Sequence, residues 1–230
     1  MIECAVWWAA PLPAAPEFLA LLTPVEEGRY EAYRQDIDRR RFLTGRVLAR
    51  TVAGQRLGVE PGSVEFDATC DGCGKPHGAP RVPGAQLALS ISHSGDRIGV
   101  AFTEGAPVGL DVETAGRKVE DSLIEYALND TERQSLHALS AEERSAAFFT
   151  FWTRKEALLK ATGRGLRLPL RGITLSPAGE SARLVSSAES VLTPEHTRMA
   201  DLDPGEGYRA AVAVLTPEDI KVTEHTWQLP

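Results

Sequence analysis

Between Leu87 and Glu113, apolar and polar positions alternate in three short runs set apart by turn-forming residues. Leu87 to Ser92, Arg97 to Thr103 and Val108 to Glu113 read as strands. The turns His93-Ser94-Gly95-Asp96 and Glu104-Gly105-Ala106-Pro107 join them, so the stretch predicts a three-stranded meander. In the last run a period of two sends Val108, Leu110 and Val112 to one face and Asp111 and Glu113 to the other. Further along, the period becomes helical. Glu142 and Glu143 stand near the start of a pattern whose apolar face carries Phe148, Phe149, Phe151, Leu158 and Leu159, predicting a helix from about Ser140 to Thr162. On a helical wheel Lys155 falls at the centre of that arc. It must reach an anion or polar partner, or snorkel along the core to its edge.

The layout repeats. Sliding the chain along itself by about 109 residues sets Phe42, Thr44, Gly54 and Leu57 on Phe151, Thr153, Gly163 and Leu166, with Arg46 on Lys155 and Val64 on Ile173. In each copy a helical pattern ends near a glycine, Gly54 or Gly163. A short alternating strand then follows, Ser63 to Phe66 or Gly172 to Leu175. The expectation is an α+β fold of two pseudo-symmetric halves, residues 1–106 and 107–230, each a small antiparallel sheet packed with helices. A ligand site belongs in the cleft between them.

Composition narrows the classes. At 230 residues and 43% hydrophobic, the chain can bury the core of one domain or of two small fused halves. Its apolar runs fall far short of the roughly 20 residues that span a bilayer, and Met-Ile-Glu-Cys has no basic flank of a secretory signal, so a cytoplasmic protein without membrane contact is expected. Three Cys argue against a disulfide scaffold. The net charge of −7 hides two basic stretches, Arg29 to Arg56 and Arg154 to Arg171. Basic patches on an acidic chain suit a small polyanion better than extended nucleic acid, which usually selects a basic domain; solvated helix faces are the plainer alternative.

Particular residues suggest the chemistry. Asp111 and Glu113, side by side, repel unless a divalent cation or a cationic partner sits between them, and oxygen-only ligands favour Mg²⁺ or Mn²⁺ over Zn²⁺. An edge strand showing acids to solvent would look the same. Glu156 and Lys160, spaced i,i+4, are either a helix ion pair or a third oxygen ligand and a phosphate contact aimed into the cleft. The Ser92-His93-Ser94-Gly95 turn offers hydroxyls, an imidazole and a tight backbone to an anion, although a lone loop histidine is by default structural. Cys70, Cys73 and His77 supply part of a tetrahedral zinc site without an evident fourth ligand; otherwise their loop simply presents Lys75.

In order along the chain, Gly74-Lys75-Pro76, Ser90-Ile91-Ser92-His93-Ser94-Gly95, Gly109-Leu110-Asp111-Val112-Glu113, Phe151-Trp152-Thr153-Arg154-Lys155-Glu156-Ala157 with Lys160, and Gly163-Arg164-Gly165-Leu166 resemble the signatures of the surfactin-type (Sfp-type) 4'-phosphopantetheinyl transferases. Gly45-Arg46 and the basic helix around it look similar too. The resemblance implies that family's fold and transfer of the phosphopantetheine arm of coenzyme A to a serine of an apo acyl or peptidyl carrier protein, leaving adenosine 3',5'-bisphosphate. It implies Mg²⁺, with Mn²⁺ as a substitute, on Asp111, Glu113 and Glu156, and Lys160 on the pyrophosphate. Arg29, Lys75, Ser92 and His93 fall where the family contacts coenzyme A. The base is then Glu156 or a water beside the metal, and Lys155 is expected to brace the carboxylates. Glu26 and Phe42 depart from relatives that carry a lysine and a hydroxyl residue there. A single duplicated chain implies a monomer. From the residues alone, a Mg²⁺-dependent phosphohydrolase, a non-catalytic coenzyme A or nucleotide module, and a zinc-loop interaction protein remain open.

Overall fold

A computed structural model describes residues 1–69, 72, 74, 75, 78–137 and 139–228, the Leu166 side chain excepted. Cys70, Cys73 and His77 of the zinc reading lie outside the described residues. The first half contains β1 (Ile2–Ala9), α1 (Pro16–Leu19), α2 (Pro24–Ala32), α3 (Asp36–Leu57), β2 (Leu87–Ser94) and β3 (Arg97–Glu104). The second contains β4 (Val108–Thr114), α4 (Asp121–Ala127), α5 (Asp130–Leu136), α6 (Ala141–Thr162), β5 (Ile173–Leu175), β6 (Leu184–Ser187), β7 (Arg198–Leu202) and β8 (Tyr208–Val214), and β9 (Ile220–Thr226) ends the chain. The sheets run β2-β3-β1-β9, β4-β8-β7 and β5-β6. All pairings are antiparallel except β1 with β9, which returns to complete the sheet of the first half. No helix among the described residues is long and apolar enough to cross a membrane.

Two-fold repetition is plain in the topology. β1, α3, β2 and β3 place their last strand in the middle, as do β4, α6, β7 and β8. Both long helices have 22 residues and stop at a left-handed glycine, Gly58 with φ 69° and Gly163 with φ 67°. These stops set the true offset at 105, not 109. Gly54 lies inside α3, and a Cβ there would stand 2.7 Å from the Val59 carbonyl oxygen. A slip of four residues is close to one helical turn, so residue types on one face still match and the wrong register looks sound. The strand expected at Ser63 to Phe66 also fails. Pro61 opens a 3-10 turn through Ser63, and the chain beyond it pairs only at the Asp67–Arg81 bridge among the described residues.

At the corrected offset Arg50 matches Lys155. Both are buried cations, and each meets a buried glutamate that closes the capping box of a short helix. Glu26, boxed with Thr23, holds Arg50 at 2.8 Å, and Glu132, boxed with Asn129, holds Lys155 at 2.5 Å. Lys155 therefore does not brace Asp111, Glu113 and Glu156. Its ammonium points the other way, with its remaining protons on the carbonyls of Ala127 and Leu170, both at 2.9 Å.

The predicted meander is a hairpin of β2 and β3 followed by a strand that leaves it, since β4 pairs with β8. On its other edge β4 meets side chains in place of backbone carbonyls: Ser90, Ser92 and Ser94 accept its N–H groups. The alternation of β4 holds, with Val108, Leu110 and Val112 packed against Cys4, Val6 and Trp8 between the two large sheets. α3 and α6 pack on their outer faces. α6 lies so close on β4 that a Cβ at Gly109 would stand 1.9 Å from the Ala157 carbonyl oxygen and 2.4 Å from the Ala161 nitrogen. Neither backbone can yield, so Gly109→Ala is expected to destabilise the protein by about 3 kcal/mol or more, read by urea denaturation. Unchanged stability would show that α6 can lift from β4.

Candidate active site

A cleft of about 920 Å³ separates α3 and the β2–β3 turn from the C-terminal end of α6. Arg29, Arg41, Arg46 and His93 line its first-half wall, and Lys160, Arg164 and Arg167 the opposite wall. The basic stretches of the sequence thus face one another across a cavity.

Phe42 lies between two cations, with the Arg29 and Arg46 guanidinium carbons each 5.3 Å from its ring centroid. Arg46 is 7% exposed, its Nε 3.4 Å from Glu26, and its Nη1 is buried without a hydrogen-bond partner. Burial pushes its pKa down while Glu26 opposes the shift, and an arginine stays charged in any case. A buried, unsatisfied guanidinium nitrogen on a cleft wall is a receptor for an anion. No role was assigned to Arg46 from sequence beyond its place in a basic helix; the buried, unpartnered nitrogen is visible only in three dimensions.

His93 is exposed by surface area, yet the cleft walls around it remove enough hydration to lower its pKa, and Arg41 and Lys160 lower it further. Arg41 also ties α3 to this turn through Nε to the Gly95 carbonyl at 2.8 Å. Lys75 is exposed on its loop and does not line the cleft. Ser92 is buried; its hydroxyl donates to Asp111 Oδ1 at 2.9 Å and accepts from Lys160 at 2.9 Å.

Lys160 is the hinge of the two walls. Its ammonium reaches Asp111 Oδ1 at 2.7 Å and the Leu110 carbonyl at 3.0 Å while its side chain remains 30% exposed to the cleft. Of the two readings of Glu156 and Lys160, the helix ion pair does not form; Lys160 pairs with Asp111. Glu156, half-buried, makes no hydrogen bond or ion pair among the described residues. Burial raises the pKa of Glu156 and of Glu113, and the Asp111 carboxylate raises both further. Those shifts show the three acids to be electrostatic neighbours.

Among the described residues no three His, Cys, Asp or Glu side chains form a ready-made metal cage. The donor set nevertheless suits a hard divalent cation. Asp111 Oδ2 is buried and lacks any hydrogen-bond partner, so one of its lone-pair faces waits for a positive centre.

Two similar halves meet at a cation-lined cleft with the Lys160–Asp111 pair at its wall, a setting suited to a phosphorylated substrate. A sequence model of the 4'-phosphopantetheinyl transferase superfamily matches residues 107–213. The 4'-phosphopantetheinyl transferase HetI of Nostoc sp. is 34% identical over 214 residues, covering 90% of this chain and 86% of that protein. The 4'-phosphopantetheinyl transferase psf-1 of Bacillus pumilus is 32% identical, with 81% of this chain and 76% of the relative covered. Sfp of Bacillus subtilis is 26% identical over 90% of each chain. The chain belongs to the Sfp-type 4'-phosphopantetheinyl transferase family.

Proposed function

We propose that this chain moves the 4'-phosphopantetheine group of coenzyme A to a serine of an apo acyl or peptidyl carrier protein. Arg29, Arg46 and His93 hold the phosphates of the nucleotide end, and Asp111, Glu113 and Glu156 hold Mg²⁺, which Mn²⁺ can replace. The observation that carries this reading is the unpartnered Nη1 of Arg46 in the same cleft as the Lys160–Asp111 pair.

In the transfer, the carrier serine oxygen attacks the β-phosphorus, the bond to the oxygen bridging the two phosphates breaks, and adenosine 3',5'-bisphosphate departs with that oxygen. Lys160 faces the charge that develops on the phosphate oxygens. Glu156 takes the serine proton. A divalent cation held by Asp111, Glu113 and Glu156 would supply further neutralisation of the phosphate oxygens. Both cleft walls come from one chain, so the enzyme works as a monomer. Intact-mass measurement of an apo carrier with this protein, coenzyme A and Mg²⁺ tests the whole reading. A gain of one phosphopantetheine, lost with EDTA, is expected; no gain across acyl and peptidyl carriers overturns it.

His93 makes binding depend on pH. Its pKa in the empty cleft is depressed, whereas a phosphate beside it would offset Arg41 and Lys160 and raise it, so binding takes up a proton. Affinity for adenosine 3',5'-bisphosphate is therefore expected to rise as pH falls from about 8 toward 6, the ordinary histidine range. Calorimetry in buffers of different ionisation enthalpy reads the proton directly. If His93→Asn keeps the same uptake, the proton belongs to another group.

A further inference from the structure

The seam between the halves carries a second set of bonds. Ser90, Ser92 and Ser94 occupy alternate positions on β2, so their side chains share one side of the strand. Each Oγ accepts one N–H of β4: Leu110 at 3.0 Å, Val112 at 3.3 Å and Thr114 at 3.2 Å. The partner lies twenty residues ahead each time, so β4 runs in the same direction as β2 with hydroxyls standing in for a neighbouring strand's carbonyls.

A serine hydroxyl that accepts a hydrogen bond keeps its own proton to donate. Ser92 gives that proton to Asp111 Oδ1 at 2.9 Å, and Ser94 gives its proton to Glu113 Oε2 at 3.0 Å. Ser94 thus holds β4 at two points, the backbone of Thr114 and the carboxylate of Glu113. One side-chain bond fixes a direction; a second to the adjoining backbone fixes where the first one starts. The opposing contact to Glu113, from Arg117, is 3.5 Å long and comes from a side chain 59% exposed, a pairing worth little. Orientation of Glu113 therefore rests on β2, a strand of the other half.

We propose that Ser94 is a positioning residue that fixes the direction of the Glu113 carboxylate, which with Asp111 and Glu156 would hold a divalent cation. This rests on the reading that those three carboxylates hold the cation. Ser92 stands in the same relation to Asp111 but also contacts Lys160, so its loss would mix two effects. Ser90 is on the same seam and lines the cleft but bonds to no carboxylate, so at saturating coenzyme A its loss reports the joining of the halves without the aiming of a ligand.

The experiment is a titration of the full chain with Mn²⁺ in saturating coenzyme A without carrier, with free Mn²⁺ followed by electron paramagnetic resonance. Ser94→Ala is expected to weaken Mn²⁺ binding about tenfold, the usual cost of removing a group that orients a metal ligand. Ser94→Thr keeps the hydroxyl and is expected to stay within about twofold of the unsubstituted protein. Ser90→Ala is expected to lower the melting temperature and leave Mn²⁺ affinity within about twofold. Tight Mn²⁺ binding by Ser94→Ala overturns the proposal and leaves the carboxylate reading standing. Equal losses in Ser90→Ala and Ser94→Ala overturn it as well, since the seam alone would then explain both. If the unsubstituted protein binds no Mn²⁺, the carboxylate reading falls and the proposal with it.

Discussion

Lys155→Met should lower stability by about 3–5 kcal/mol, the cost of leaving one partner of a buried ion pair alone. For a chain of this size that corresponds to a melting temperature lower by roughly 10 °C. Lys155 has no exposed surface, and its three ammonium protons each find one acceptor: Glu132, the Ala127 carbonyl and the Leu170 carbonyl. Methionine matches the stem but supplies none of those bonds. Glu132, which also accepts the Leu175 and Asn129 N–H groups, would keep a charge at a site 2% exposed. Adding Glu132→Gln removes the stranded charge, and the double variant should regain more than half of the loss. Because Lys155 points away from Asp111, Glu113 and Glu156, Lys155→Met protein that is still folded should bind Mn²⁺ as the unsubstituted chain does. Calorimetric melting decides the matter: a drop below about 1 kcal/mol would mean that the pair is not ionised in the folded protein.

This lysine also shows what a sequence of this kind can and cannot reveal. Its place at the centre of the apolar arc of α6 was legible, and with it the need for a partner, because burial of an unpaired ammonium is forbidden by its hydration. The identity of the partner was not, since Glu132 stands on another helix, α5, across a turn from α6. The same division runs through the fold. Period-two alternation located β2, β3 and β4 to within two residues and sorted the faces of β4 correctly. Nothing in that pattern says that β4 pairs with β8, about a hundred residues later, or that serines would close its other edge. In the site, Asp111, Glu113 and Lys160 announce themselves by residue type. Arg46 does not, because an arginine in a basic helix looks the same whether its Nη1 faces water or a buried wall. Arg29 and His93 line the cleft, whereas Lys75 and Ser92 do not.

Glu156→Gln should cost roughly a thousandfold in transfer rate, the range found when a positioned base or an electrostatic group of an active site is removed. The substitution is nearly isosteric, so the packing of α6 is undisturbed and only charge and basicity go. Folding gives no reason for that charge. Glu156 is half-buried, has no hydrogen-bonding partner among the described residues, and is repelled by Asp111 and Glu113. Removing a carboxylate so placed should leave stability unchanged or slightly raised, a combination with lost activity that a structural residue does not show. Affinity for coenzyme A should stay within about threefold, since Arg29, Arg46 and His93 hold the nucleotide end. The two roles open to Glu156 then separate in the rate profile. If it takes the serine proton, the acidic limb of the profile disappears and excess Mg²⁺ restores nothing. Were it only a ligand, high Mg²⁺ would recover most of the rate and the limb would remain. Transfer within tenfold of the unsubstituted enzyme at ordinary Mg²⁺ would remove Glu156 from the chemistry and leave Asp111, Glu113 and Lys160 to account for it.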